Sequence, residues 1–449
     1  MSKKPNIVSF ITHDQGQFIG CYDSPQMPNS LDTPNLDEFA TKGVRFTNYF
    51  CTAPQCSPSR GSIQTSLYPH QNGLMGLVNR EWTLPLENKT IPMYLKENGY
   101  STHLIGLQHE SLKPSDLGYD TLSERFFHKN LEIDFMYNCK LVEDECLKFF
   151  QEHKIDDKPF FLNIGVEEVH RPFKSWGEPV DPKTVKVPPF LPDNEIFRKE
   201  LADYYGAIHS VDITIGKIIK MLEETDLKKD TLFIYTTDHG SPFPRAKATL
   251  YDPGIKTSLI MYQPDSELFE GGKVFDSLLS NLDYLPTLLD LIGAKTPTEI
   301  EGESFLPILR GEKSQVRTEI YGEKTYHDIY DPMRGIRTQN YKYIKNFEDL
   351  DTLYALPLPM AMAPTGKFLK DKYNKPRAKE ELYDLQKDPN ERDNLINNPE
   401  YKEIANNLRK KLEDWMIRTK DPLLKGRVKP QSQEAYDKDL KKRKKLKNL

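Results

Sequence analysis

The feature that most narrows what this chain can fold into is a recurring one. Short apolar runs stop abruptly on polar residues that can do chemistry. Asn6–Thr12 reads as a buried strand bounded by Pro5 and by His13-Asp14-Gln15-Gly16. Thr102–Gly106 leads to Gln108-His109, Pro159–Val166 to Glu167–His170, and Thr231–Thr237 to Asp238-His239-Gly240. Val44–Phe50 and Lys256–Tyr262 read as further strands. Helical patterns lie between them. Thr33-Pro34 opens one, with Leu36, Phe39 and Ala40 as its apolar stripe and Gly43 as its stop. Others are Thr90–Gly99, Asp193–Leu227 (Leu201, Tyr205, Ile208, Val211, Ile215 and Ile218 at helical spacing) and Leu282–Leu291, closed by Gly293. Strands alternating with helices predict an α/β fold with a largely parallel sheet covered on both faces. Ligands bind beyond the carboxyl ends of such strands, so the four polar clusters are expected to form one site from distant segments.

Composition excludes several classes. Lys+Arg is 62 and Asp+Glu is 67, a net charge of −5, which makes a poor general nucleic-acid binder. No stretch approaches 18 consecutive apolar residues, so no membrane span is expected. Met1-Ser2-Lys3-Lys4-Pro5 is not followed by an apolar secretory core, which makes a cytoplasmic address the expectation. The five cysteines (Cys21, Cys51, Cys56, Cys139 and Cys146) are odd in number and lack CxxC spacing, so they are not a disulfide framework.

The rhythm changes near residue 315. Glu319–Glu323, Met333–Arg337, Lys342–Asn346 and Glu381–Leu385 are short, mostly alternating runs with little helix between them. Tyr401–Arg418 is amphipathic, with Ile404, Leu408, Leu412 and Trp415 on one face. A small antiparallel sheet with one helix is expected. Ala355–Lys379, rich in Pro, Met and Lys, reads as a surface loop, and Lys441–Lys447 as a solvated basic end.

The sharpest motif is Cys56-Ser57-Pro58-Ser59-Arg60, with Thr65 downstream. Ser57-Pro58 reads as an N-cap and first-turn pair, which places Cys56 at a helix N-terminus, where free N–H groups and the helix dipole favour an anion. The motif resembles the signature of type I sulfatases, a family of the alkaline phosphatase-like superfamily, with Ser66 where the family usually has glycine. The resemblance implies that Cys56 is oxidised to Cα-formylglycine by a formylglycine-generating or anaerobic sulfatase-maturating enzyme. The hydrated aldehyde would attack sulfur with one hydroxyl and release sulfate by losing the proton of the other. Arg60, one turn on, is expected to hold the diol oxygen. The resemblance also implies a fold: a large, mixed, mostly parallel sheet flanked by helices in a catalytic domain over residues 1–315. A smaller α+β domain over 316–430 and a basic tail over 431–449 would follow.

A metal site is the second expectation. Asp14, Asp238, His239 and the modified Cys56 are the ligands that the resemblance implies. Counting from Asn6, His13 joins Asp14; counting back from Gly20-Cys21-Tyr22, Gln15 does. Oxygen-rich ligands put Ca²⁺ first, with Mg²⁺ next, and the imidazole leaves Mn²⁺ or Zn²⁺ open. His109 in Gly106-Leu107-Gln108-His109 fits the family's histidine that contacts the formylglycine hydroxyl, although the family lysine of that segment is Leu107. His170 matches the leaving-group histidine, a general acid, and Lys247 the sulfate-binding cation, with Arg245 its neighbour. Arg171 or Arg245 could replace the missing lysine's charge.

Several further segments resemble the sulfamidase (N-sulfoglucosamine sulfohydrolase) branch of the family. They are Tyr68-Pro69-His70-Gln71-Asn72-Gly73, Ser241-Pro242-Phe243-Pro244 with Leu250-Tyr251-Asp252-Pro253-Gly254, Pro332-Met333-Arg334, and Asp388-Pro389-Asn390-Glu391 with Asn394-Leu395. His327 and Arg334 are expected to approach the substrate from the second domain, the arginine gripping a carboxylate or sulfate. The expected partner is a small sulfated sugar carrying an O- or N-sulfate, as in glycosaminoglycan degradation, with a homodimer left open. Two alternatives stand beside it: a phosphonate monoester or phosphodiester hydrolase on the same scaffold, and a non-catalytic binder of sulfated glycans.

Overall fold

A computed structural model describes residues 4–123, 138–154, 158–350, 352–434, 436–437 and 440–441. Its larger sheet has nine strands. In chain order they are β1 (Asn6–Thr12), β2 (Val44–Phe50), β3 (Ser101–Gly106), β4 (Thr121–Leu122), β5 (Phe160–Gly165), β6 (Thr231–Thr237), β7 (Lys256–Tyr262), β8 (Lys273–Phe275) and β9 (Leu279–Ser280). The spatial order is β4-β3-β5-β1-β6-β7-β2-β8, with β9 also paired to β2. The block from β4 to β6 is parallel, and β7 runs antiparallel to both β6 and β2.

The period-2 geometry of β1 explains its unbroken apolar sequence. Val8 and Phe10 enter one core with the helices Pro34–Lys42, Cys139–His153 and Glu195–Glu224. Ile7 and Ile11 enter the other, with Ile91–Glu97, Tyr284–Leu291 and Leu306–Leu309. A strand covered on both faces has no solvent side to mark with polar residues.

The smaller sheet is antiparallel throughout, in the order β10 (Glu319–Tyr326), β11 (Tyr330–Thr338), β12 (Tyr341–Asn346) and β13 (Glu380–Asp384). Helix Lys402–Arg418 covers it, burying Leu408, Leu412 and Trp415 against Ile336, Tyr343 and Leu382. The two sheets meet through Phe50, Leu250 and Ile255 on one side and Ile320, Met333 and Tyr383 on the other. Backbone bonds reinforce the join, Glu323 N–H to Thr52 O at 2.7 Å and Tyr326 N–H to Met75 O at 3.1 Å.

Two local expectations are corrected. Residues 355–379 are not a loop: Leu358–Met362 and Pro364–Tyr373 are helices, each with proline in its first turn. Thr365 N–H bonds Glu200, and Phe368 lies against Phe197, so the second of them is tied to the long helix Glu195–Glu224. Nor does Ser57 cap the Cys56 helix. The helix begins at Cys56 with Gln55 as its N-cap, and the Ser57 hydroxyl accepts the Val78 N–H at 3.0 Å. Beyond Lys441, the basic end lies outside the described residues.

Candidate active site

Four neighbouring strands, β3, β5, β1 and β6, deliver their C-terminal residues to one place, and the helix Cys56–Thr65 points its N-terminus at the same place. At the centre is the Cys56 sulfur. It lies 2.8 Å from His13 Nε2, 3.4 Å from His239 Nε2, 3.6 Å from Lys247 Nζ and 3.7 Å from Asp14 Oδ1. In an oxidised residue the formyl oxygen would stand where this sulfur stands. Ser66 closes the helix with a left-handed φ of 56°, where glycine is usual, and its hydroxyl bonds Leu282 O and Gly302 N–H.

Donor atoms of His13, Asp14, Cys56, Asp238 and His239 all lie within 4.8 Å of one another, and all five residues are buried. His13 therefore partners Asp14. Gln15 turns away, accepting from Tyr235 OH and donating to Phe18 O. Asp14 adopts a left-handed φ of 55°, an aspartate-tolerated conformation. Its N–H binds Asp238 Oδ1 at 2.9 Å. His239 donates Nδ1–H to Gly240 O at 2.9 Å, which aims Nε2 inward, 2.9 Å from Asp14 Oδ1. Burial resists a charge on either imidazole. It prevails at His13, whose pKa falls well below the usual range. At His239, Asp238 and Asp14 overcome it and raise the pKa to about 10. Two carboxylates with two inward imidazole nitrogens are a donor set that fits a divalent cation.

Two further histidines and a lysine stand around this centre. The His170 ring lies 4.8 Å from that of His13, and its Nε2 is 4.0 Å from Asp14. His109 packs edge-on to His13 at 5.8 Å. Desolvation, then Arg60, His170 and Lys247, lower its pKa to about 3, so it is neutral at physiological pH. Lys247 grips both Asp14 oxygens at 2.7 and 2.6 Å. A narrow cavity opens outward from Asp14, Cys56, His109, His170 and Lys247.

Other site expectations are redrawn. Arg60 is fully buried and donates to Asp238 Oδ2 at 3.1 Å and Thr12 O at 3.2 Å, so it positions a carboxylate and does not reach out to Cys56. Arg334 does not face the cavity. It is buried between Asp421 and Glu323, because a guanidinium inside the fold needs anionic partners. Arg245 bonds Tyr354 OH and the carbonyls of Asn390 and Glu391, away from the centre. Leu107 is buried and brings no charge. Arg171 does line the cavity, although its guanidinium is tied to Pro242 O and Glu200. His327 reaches the cavity wall as expected.

Nothing in the sequence pointed to Arg80, Asp328 or Pro357 with the first turn of the helix Leu358–Met362, which form the outer wall. Arg80 Nη2 donates to Asp328 Oδ1 at 2.9 Å, and Asp328 Oδ2 accepts the Leu358 N–H at 2.6 Å, so one carboxylate joins arginine and turn. The adjacency of Asp328 to His327 was the one available signal.

Comparison with known proteins agrees with this geometry. Residues 5–294 match the sulfatase family model, and residues 244–359 and 364–418 match the model of the N-sulphoglucosamine sulphohydrolase C-terminal region. An ulvan-active sulfatase of Formosa agariphila is 31 % identical over 93 % of this chain and 80 % of its own. Human N-sulphoglucosamine sulphohydrolase is 28 % identical over 96 % of this chain and 95 % of its own. A solved structure described as a complex with its substrate D-glucosamine-2-N,6-O-disulfate superposes with a TM-score of 0.71. That match covers 93 % of this chain and 99 % of the other at 20 % identity, a likeness of fold.

Proposed function

The chain belongs to the sulfatase family, and from that premise we propose that it hydrolyses the sulfate ester or sulfamate of a small sulfated sugar, with Cys56 matured to formylglycine. The observation that carries this is the place of the Cys56 sulfur. It lies at a helix N-terminus, within 3.7 Å of four side chains that attract or carry positive charge or bind metal, on the floor of a cavity flanked by two further histidines. Matured and hydrated, this residue would supply an oxygen nucleophile that can be regenerated, and His13, Asp14, Asp238 and His239 would hold a divalent metal that supplies charge for the sulfate oxygens.

The chain's own groups do the rest. Lys247 places a fixed ammonium beside the nucleophile and pairs with a sulfate oxygen. His109, neutral, would accept a proton from a hydroxyl of the hydrated formylglycine at position 56; His170, facing the cavity, would donate one to the leaving oxygen or nitrogen. Arg60 keeps Asp238 oriented from behind. Arg80, His327 and Asp328 line the wall where the sugar would lie. The sugar class is supported by the near full-length similarity to N-sulphoglucosamine sulphohydrolase and by its C-terminal model. Maturation requires a formylglycine-generating or anaerobic sulfatase-maturating enzyme.

Turnover of N-sulfoglucosamine, glucosamine 6-O-sulfate, an aryl sulfate and a phosphonate monoester by the matured protein tests the proposal. Sulfate release from a sugar substrate, abolished by Cys56→Ala in a folded protein, is expected. Phosphonate turnover orders of magnitude above every sulfate would overturn it.

A further inference from the structure

We propose that His13 and His239 make the metal site selective for a first-row transition-metal dication, Mn²⁺ or Zn²⁺, over Ca²⁺ and Mg²⁺. The inference concerns the same site as the sulfatase proposal and deepens it. Its basis is a count of the oxygens that remain available. Calcium takes about six to eight oxygen ligands and magnesium needs near-octahedral oxygen. Among the described residues, two carboxylates, Asp14 and Asp238, belong to this donor cluster. Asp238 Oδ1 already accepts the N–H groups of Asp14 and His239, at 2.9 and 2.8 Å, and Oδ2 accepts Arg60. Asp14 shares both oxygens with Lys247.

The backbone carbonyls of the four donor residues each already accept a hydrogen bond. His13 O accepts Val169 N–H, Asp14 O accepts Tyr204 OH, Asp238 O accepts Ser59 Oγ, and His239 O accepts Gly16 N–H. What the site offers in place of oxygen is two imidazole nitrogens. The His239 ring is fixed by its bond to Gly240 O, with Nε2 inward, and His13 Nε2 sits 3.5 Å from Asp14 and 3.6 Å from Asp238. Imidazole favours the borderline transition metals over the hard alkaline-earth ions.

The test uses the full chain carrying Cys56→Ala, so that no thiolate contributes, stripped with a chelator. MnCl₂ is added and bound Mn²⁺ is followed by electron paramagnetic resonance while CaCl₂ or MgCl₂ is raised; ZnCl₂ serves as a second probe. One Mn²⁺ per chain, displaced by Zn²⁺ and retained against a roughly hundredfold excess of Ca²⁺ or Mg²⁺, is expected. Displacement by equimolar Ca²⁺ or Mg²⁺, or no Mn²⁺ binding, overturns the proposal. In the double variant His13→Asp, His239→Asn the retention should be lost; a folded double variant that keeps it also overturns the proposal. Should that variant not fold, the competition in the Cys56→Ala chain decides alone. Sulfate release by matured, Ca²⁺-loaded enzyme is scored separately, so the metal inference can fail while the sulfatase proposal stands.

Discussion

Glu168 shows how a single buried group can be read. It sits between two segments of the site, its Oε1 accepting the Cys139 N–H at 2.9 Å and its Oε2 buried with no hydrogen-bond partner among the described residues. Desolvation raises its pKa from 4.5 to about 7. The folded state therefore keeps a proton that the unfolded chain has released, and stability is lost as pH rises from about 4.5 to about 7. Glu168→Gln should remove that loss. Urea unfolding at pH 4 and pH 8 should show the variant gaining up to about 3 kcal/mol on wild type across the interval; parallel pH dependences would contradict this. His109 is the counterpart in the proposed reaction. Held neutral by burial and by Arg60, it should not set an acid limb near the ordinary histidine range.

At the scale of elements, the outer wall of the cavity is a three-part device. Arg80 comes from the 3-10 turn Val78–Arg80, Asp328 from the β10–β11 turn, and Leu358 from the short helix Leu358–Met362. Asp328→Ala should release both of the others. The expected result is a KM for the sulfated sugar raised about tenfold with kcat little changed, and a smaller effect on an aryl sulfate, which lacks the sugar ring. Equal effects on both substrates would place Asp328 in the reaction centre instead. The strands and the four polar strand ends were legible in the sequence, because double-sided burial writes long apolar runs and their abrupt ends mark the sheet's rim. The 355–379 helices were not. Pro357, Pro359 and Pro364 punctuate like a loop, although proline in a first helical turn is favourable. The strand pattern around Arg334 gave its element but could not give its partner, since Asp421 lies 87 residues away.

At the scale of the molecule, the two sheets are locked by buried charge as well as by apolar packing. His70, just after the Cys56 helix, meets Glu323 of β10 at 2.5 Å, and Arg334 of β11 bridges Glu323 and Asp421. Removing one member leaves uncompensated charge inside the fold. Arg334→Met should therefore cost about 3–5 kcal/mol in urea unfolding, with KM unchanged in the folded fraction; a raised KM at unchanged stability would restore the substrate-binding role first expected of it. The same docking sets the second sheet beside Cys56, through Gln55 Nε2 to Tyr326 O at 2.7 Å, so that one cavity draws walls from both sheets. The whole account turns on what residue 56 is in the mature protein. Mass spectrometry of the Cys56 peptide, from protein made alongside a maturation enzyme, tests it most directly. An aldehyde that is captured by a hydrazide reagent is the predicted result, and a peptide carrying only an unmodified thiol would contradict it.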